Sequence, residues 1–200
     1  MGDRFLGLTV PMVRALCPKC DAMPMAQVIA LLKSPWHEAR LLALLVLVRR
    51  FERGDAALRR EVYRAYLRHT RWINNWDLVD VSAPRIVGAH LLGRDPVQLD
   101  RWARSTLLWE RRIAMLATSA FIGAGDVGPT LRIALRLLDD SHDLIHKAAG
   151  WMLREAAKRD PAATRKFLRA HQHRMPRTML RYAIERFPAV TRRRYLAGTA

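Results

Sequence analysis

Pairs of turn-forming residues divide the chain into short apolar segments, and this punctuation constrains its fold more than any other feature. Ser34-Pro35, Gly54-Asp55, Asp95-Pro96 and Asp160-Pro161 each precede a segment with apolar residues at helical spacing. A proline in the first turn and an aspartate just before it are typical of helix starts. No segment of useful length alternates with the period of two that a strand requires. The sequence therefore predicts an all-α fold of about a dozen helices joined by short, capped turns.

The predicted helix bounds follow from these starts and from the glycines and prolines that end each segment. We predict one helix that begins at Pro11 after a Thr9 cap, and others over 24–32, 36–52, 108–122, 126–138 and 143–159. Three more run from Asp55 to about 69, from Ser82 and Pro84 through 92, and from 95 to about 105. The last three begin at Asp160, Pro176 and Pro188. No low-complexity linker interrupts the series. We expect a single domain over residues 1–200.

The chain carries a formal net charge of +17, and 30 of its 35 basic residues are arginine. A sustained excess of this size favours a polyanionic partner, most simply nucleic acid. An anionic membrane is the rival partner, although no basic amphipathic anchor stands out. The structural alternative is a set of solvated arginines with no partner at all.

The most apolar stretch, 41–48, is too short to span a bilayer, and no signal peptide is visible. We therefore expect a soluble, cytoplasmic protein. Cys17 and Cys20 form a lone C-x-x-C, which supplies half a zinc site or a redox pair. His171 and His173 are the remaining candidate ligands, but no second signature supports them. We expect neither metal nor cofactor.

Residues 72–80 read WINNWDLVD, an aromatic and acidic cluster in a basic chain. If 76–80 is helical, Trp76 and Asp80 lie four residues apart and project from one face. An indole face attracts cations and a carboxylate stabilises developing positive charge, so the pair suits a substrate that is or becomes cationic. In the structural alternative, Asp77 and Asp80 cap a helix start and Trp76 packs in the core.

A repeat near 36 residues relates the starts of the long helices. Arg40, Trp76, Arg112 and Lys147 recur at this spacing, which suits paired-helix repeats of the HEAT type. In a solenoid of such repeats these positions would line one concave strip, with Trp151 one turn beyond Lys147. The strip would be basic and aromatic, and it would suit a nucleic-acid backbone.

A second basic pattern lies on the segment that follows Asp55. Arg60, Arg64 and Arg68 are spaced by four and predict a continuous stripe on one helix face. A solvated face is the structural interpretation, and a phosphate-contacting face is the functional one.

Fragments spread over nearly the whole chain resemble the AlkD-type DNA glycosylases, a DNA alkylation repair family built from HEAT-like repeats. The matching fragments are FLGLTVP at 5–11, HEAR at 37–40, WDLVD at 76–80, WERRIA at 109–114, HKAAGWMLRE at 146–155 and RTMLRYAIER at 177–186. Family members usually carry one or two helices ahead of the first fragment, which here begins close to residue 1. A shortened protein and a misassigned start are the two explanations, and either one affects the DNA contacts that those helices make.

The resemblance implies an α-solenoid with a concave basic face that acts on double-stranded DNA. The sequence is silent on oligomeric state, and a monomer is the default expectation. The resemblance also implies hydrolysis of the N-glycosidic bond to cationic alkylated purines of the 3-methyladenine or 7-methylguanine type, in base excision repair. By motif, Asp80 would be catalytic, and Trp76, Arg112 and Trp151 would bind the DNA substrate. The alternative function is a HEAT-repeat protein that recognises DNA shape without cleaving it, and a protein-binding scaffold is a third.

Each of these residues also has a structural interpretation. Trp151, next to Gly150, could pack between repeats, and Arg112 could be buried against an acidic neighbour. The remaining tryptophans are expected to serve in packing: Trp36, Trp72, Trp102 and Trp109.

Overall fold

The computed structural model describes residues 3–199, and every regular element within them is helical. The helices are α1 (Val10–Leu16), α2 (Met25–Leu32), α3 (His37–Arg53), α4 (Ala56–Arg68), α5 (Trp76–Ala83), α6 (Ala89–Leu91), α7 (Val97–Trp102), α8 (Leu108–Ala117), α9 (Ser119–Gly123), α10 (Gly128–Arg136), α11 (Asp143–Arg159), α12 (Pro161–His171), α13 (Arg177–Ala183) and α14 (Ala189–Ala197). Short 3-10 turns occupy Cys17–Cys20 and Thr70–Trp72. The all-α prediction is confirmed.

The chain forms two compact units, the first ending at His90 and the second beginning at Leu91. Unit 1 is built around α3, which packs against α1, α2, α4 and α5. Its sequence is apolar on several faces, and Leu41, Leu44 and Leu47 are almost completely buried. A helix of this kind can satisfy its apolar surface only when neighbours cover it on several sides.

Each of the four turn-forming pairs named in the sequence is followed by a helix: α3, α4, α7 and α12. Asp55 caps α4, where its side chain accepts a hydrogen bond from the Leu58 amide at 2.8 Å. Asp160 caps α12 in the same way through the Ala163 amide, at 2.9 Å. Each cap satisfies an amide that has no partner within its own helix.

The prediction that Ser82 and Pro84 begin a helix is wrong. The helix begins earlier, at Trp76, and after Ala83 it continues through a π turn, Pro84–Gly88, into α6. Pro84 has no N–H to donate, and a widened turn is one way in which a helix accommodates that loss. Ser82 lies inside α5, where its hydroxyl donates to the Leu78 carbonyl at 2.5 Å.

Unit 2 is built around α11, which packs against α8, α10, α12 and α13. The two helices α11 and α13 lie close together at Gly150, where an added Cβ would lie 2.5 Å from both the Met179 carbonyl oxygen and the Tyr182 Cβ. Only glycine permits this approach of the two helices. The single helix predicted over 108–122 divides into α8 and α9 at Thr118, whose hydroxyl donates to the Met115 carbonyl at 2.7 Å.

Within each unit, helices that are consecutive in sequence pack on one another, as α2 does on α3, α3 on α4, α7 on α8 and α11 on α12. Paired packing between sequence neighbours is what helical repeats require. Among residues 3–199, no helix is both long enough and apolar enough to cross a membrane.

Candidate functional site

Trp76 is the first residue of α5, and its indole is exposed. The Asn75 side chain caps the helix, with its oxygen accepting from the Trp76 amide at 2.8 Å. The Trp76 side chain is 54% exposed, although tryptophan is highly buried on average. The interpretation of Trp76 as a core residue is therefore wrong, and its aromatic face can meet a ligand.

The first carboxylate of α5, Asp77, serves the helix start. Its Oδ1 accepts from the Leu78 amide at 2.8 Å, and its Oδ2 lies 2.7 Å from His37 Nε2. The sequence allowed Asp77 and Asp80 to cap a helix start. In the structure, Asn75 and Asp77 accept hydrogen bonds from the first amides of α5.

Asp80 lies one turn after Trp76 on the same face of α5, and it is partly exposed. The fully buried Tyr66 hydroxyl contacts Ser82 Oγ at 3.0 Å. Burial raises the pKa of Tyr66 and the hydrogen bond to Ser82 lowers it, while the negative charge of Asp80 raises it further. The Asp80 carboxylate is therefore close enough to Tyr66 to act on it electrostatically. Asp80 also interacts with other groups of the protein.

A buried polar network holds the start of α5, and the sequence did not reveal it. The Asp3 carboxylate contacts Arg40 Nη2 at 2.6 Å and His37 Nδ1 at 3.3 Å, and it accepts from the Asn74 and Asn75 side chains at 3.3 and 3.4 Å. Burial acts to raise the pKa of Asp3, but the charge of Arg40 and these hydrogen bonds outweigh it and lower the pKa. The only sign of this network in the sequence was HEAR at 37–40, which lies at a repeat position.

This network overturns one predicted role. Arg40 was expected on a solvent-facing basic strip, but its side chain is only 3% exposed and donates to the Ser34 carbonyl at 2.8 Å. Arg40 therefore orders the N-terminal segment through its ion pair with Asp3.

The same segment is fixed by Glu38. Its buried carboxylate accepts from the amides of Leu6, Gly7 and Leu8 at distances of 2.9–3.3 Å. Burial acts to raise the pKa of Glu38, but the hydrogen bonds from backbone amides outweigh it and lower the pKa.

In unit 2, Arg112 is buried. Its side chain lies in α8 and donates from Nη1 to the Leu144 carbonyl at 2.7 Å, and the residue is 5% exposed. The burial and this hydrogen bond agree with the structural interpretation of Arg112. Its role in phosphate binding stays a prediction.

Trp151 lies on α11, partly exposed, one turn after Lys147. Lys147 forms an ion pair with Asp143 at 2.8 Å. Asp143 and Lys147 line an open groove of about 620 Å³ between α11 and α13. Its other lining residues are Thr178, Arg181, Tyr182 and Glu185. Trp151 follows the groove-lining Lys147 by one turn of α11.

The other tryptophans differ in burial. Trp102 is 6% exposed, as a packing residue should be, whereas Trp36 is 37% exposed. The packing prediction is therefore wrong for Trp36. Cys17 and Cys20 are buried and unpaired, and among residues 3–199 no group of three His, Cys, Asp or Glu side chains is arranged to hold a metal ion.

A family model described as "DNA alkylation repair enzyme" matches residues 1–187. The chain belongs to the DNA alkylation repair family. Its fold is similar to that of a structure titled "Predicted DNA alkylation repair enzyme from Enterococcus faecalis", with a TM-score of 0.75 and 16% sequence identity over 94% of this chain and 90% of that chain. Among curated proteins, none matches the sequence.

Membership of the DNA alkylation repair family confirms the resemblance that the sequence fragments carried. It supports a role in the repair of alkylation damage to DNA. The shared fold confirms the predicted class of HEAT-like helical repeats, while the concave basic face and the roles of the four site residues stay predictions.

Proposed function

We propose that this DNA alkylation repair protein is a monofunctional DNA glycosylase, acting in the cytoplasm as a monomer. Its substrates are cationic alkylated purines in duplex DNA, and it hydrolyses their N-glycosidic bond. The observation that carries the proposal is the pairing of an exposed indole, Trp76, with Asp80 on one face of α5. Asn75 and Asp77 already cap the helix start, so capping does not require Asp80.

One carboxylate is sufficient for this chemistry. An N-alkylated purine already carries positive charge, so it departs as a neutral base without a general acid. As the bond lengthens, the deoxyribose gains oxocarbenium character, which Asp80 stabilises while it orients the attacking water. Glycosidases that act on O-glycosidic bonds usually need a second carboxyl group because their leaving group must be protonated.

The other three residues would bind the DNA substrate. Trp76 and Trp151 would pack against the sugar–phosphate backbone and the damaged nucleotide, adding about 0.5–2 kcal/mol of cation–π attraction to a cationic base. Arg112 would bind a phosphate, for which its planar guanidinium is suited. Its hydrogen bond to the Leu144 carbonyl would hold the guanidinium in one orientation.

Release of free base tests the proposal directly. Methylated duplex is incubated with the native protein, with Asp80→Asn and with Asp139→Asn, and released 7-methylguanine is measured by mass spectrometry. Asp139 is the matched control because its carboxylate is 75% exposed and pairs with surface Arg174. We expect Asp80→Asn to release base at least about a hundredfold more slowly and the control to match the native rate.

Equal rates for all three proteins would remove Asp80 from the mechanism. Borohydride trapping of a covalent protein–DNA adduct would contradict the monofunctional assignment, because that adduct requires an amine nucleophile.

The net charge of +17 favours binding to DNA whether or not a bond is cleaved, so DNA-shape recognition without catalysis is the second candidate function. Salt-sensitive binding to damaged duplex, with no base released by the native protein, would select this alternative. Binding to neither damaged nor intact duplex would select the protein scaffold.

A further inference from the structure

One face of α4 carries three exposed arginines that the proposed catalytic chemistry does not use. Arg60, Arg64 and Arg68, here called the α4 stripe, follow one another at successive helical turns. The buried residues Val62 and Tyr66 lie on the opposite side of α4. The α4 stripe therefore points away from the body of unit 1.

The stripe also points away from α5. The Tyr66 hydroxyl, on the buried side of α4, contacts Ser82 of α5 at 3.0 Å. Since the arginines occupy the reverse side of α4, they form a surface separate from Trp76 and Asp80. A partner bound there would leave the α5 face accessible.

In the described part of the chain, the arginines of the α4 stripe carry their charge without a direct ion pair to a carboxylate. Within residues 3–199, none of these three arginines forms an ion pair. A comparable pair on α10 behaves differently, because Arg132 and Arg136 both bind Asp100, at 3.1 and 2.6 Å. The α4 stripe therefore retains positive charge that an external anion can meet.

The spacing of the stripe suits a nucleic-acid backbone. Eight residues of α-helix rise about 12 Å, and one strand of duplex DNA carries a phosphate about every 3.4 Å along its axis. The stripe thus spans three to four phosphates, approximately, and arginine is the residue best shaped to bind them. Family membership makes DNA the polyanion with which this chain is associated.

We propose that the α4 stripe is a second DNA-binding surface, which holds the backbone of undamaged duplex independently of base release. It binds phosphates without sequence preference, and so it keeps the protein on DNA between lesions. This surface does not depend on the glycosylase proposal, because its readout is affinity for intact DNA.

Two double variants with equal loss of charge test the stripe. Arg64→Gln/Arg68→Gln removes two stripe arginines, and Arg132→Gln/Arg136→Gln removes the neutralised pair on α10. Affinity for undamaged duplex is measured against salt concentration for both variants and for the native protein. Each lost phosphate contact lowers the slope of log affinity against log salt by about 0.9, so we expect a loss of about 1.8 for the stripe variant and little change for the control.

Equal losses in the two variants would show that only long-range attraction matters, and an unchanged slope in the stripe variant would likewise overturn the proposal. A parallel arm uses anionic lipid vesicles. If the stripe variant loses vesicle binding while its DNA affinity stays native, the surface is a membrane contact. Thermal unfolding confirms that both variants are folded, as substitution of exposed side chains should allow.

Discussion

His37 Nε2 lies 2.7 Å from Asp77 Oδ2, and this contact joins the start of α3 to the start of α5. The other ring nitrogen of His37 lies 3.3 Å from Asp3, so one buried imidazole holds three segments of unit 1 together. Trp76 and Asp80 stand on the helix that this contact fixes. The geometry of the candidate site in unit 1 therefore depends on a residue that is not itself exposed.

Loss of the His37–Asp77 contact should destabilise the protein. We expect His37→Gln and Asp77→Asn each to lower the free energy of unfolding by about 2 kcal/mol, because a partly buried group loses its charged partner. The double variant should cost clearly less than the sum of the two, as residues in direct contact are coupled. Urea unfolding of the four proteins measures the coupling, and strict additivity would show that the contact contributes nothing.

Acid should weaken unit 1 through its N-terminal segment. The pKa of Glu38 lies below its ordinary value of 4.5 and that of Asp3 below 3.8. A carboxylate with a lowered pKa in the folded state stabilises the fold above its ordinary pKa, and this contribution is lost as the pH falls through the lowered value. We expect the unfolding temperature to fall on acidification below about pH 4.5, and Glu38→Gln to reduce this dependence.

The control for the acid experiment is Glu61→Gln, which removes an exposed carboxylate of α4. Its acid dependence should follow that of the native protein. If Glu38→Gln and Glu61→Gln have the same pH profile as each other, the amide hydrogen bonds to Glu38 do not carry the effect.

Gly150→Ala should destabilise unit 2 by about 1–3 kcal/mol, because the new methyl group would overlap α13. Gly123→Ala is the matched change, since a Cβ at Gly123 would meet no atom within 4 Å. Alanine is also the better helix former, so this control should be neutral or slightly stabilising. Thermal unfolding compares the two, and similar midpoints would show that α11 and α13 can separate without cost.

Trp76→Ala should weaken DNA binding, whereas Trp102→Ala should lower the stability of the fold. Trp76 is 54% exposed, so its loss should change stability by less than about 0.5 kcal/mol while it weakens binding to damaged duplex. Trp102 is 6% exposed, and its removal should cost about 3–5 kcal/mol of stability. Thermal unfolding and DNA titration of each variant separate the effects, and native DNA affinity in Trp76→Ala would remove that indole from the binding surface.

Helix starts were largely predictable because capping is local. A cap such as Asp55 acts on an amide three residues away, so a few neighbouring letters contain all the information that is needed. Pro84 shows the limit of such rules. The same residue can begin a helix or widen a turn inside one, and the choice depends on whether the preceding segment is held as a helix by its packing.

The sequence by itself determined the helical class, most helix starts, the excess of positive charge and the family to which the fragments belong. The tertiary structure alone decided which polar residues are buried: Arg40 and Arg112 occupy predicted surface positions, yet both are nearly inaccessible, whereas Trp76 and Trp36 are exposed. Periodicity records which residues share a helix face. Burial depends on what the rest of the chain places against that face, through contacts such as the one between His37 and Asp77 that join residues distant in sequence.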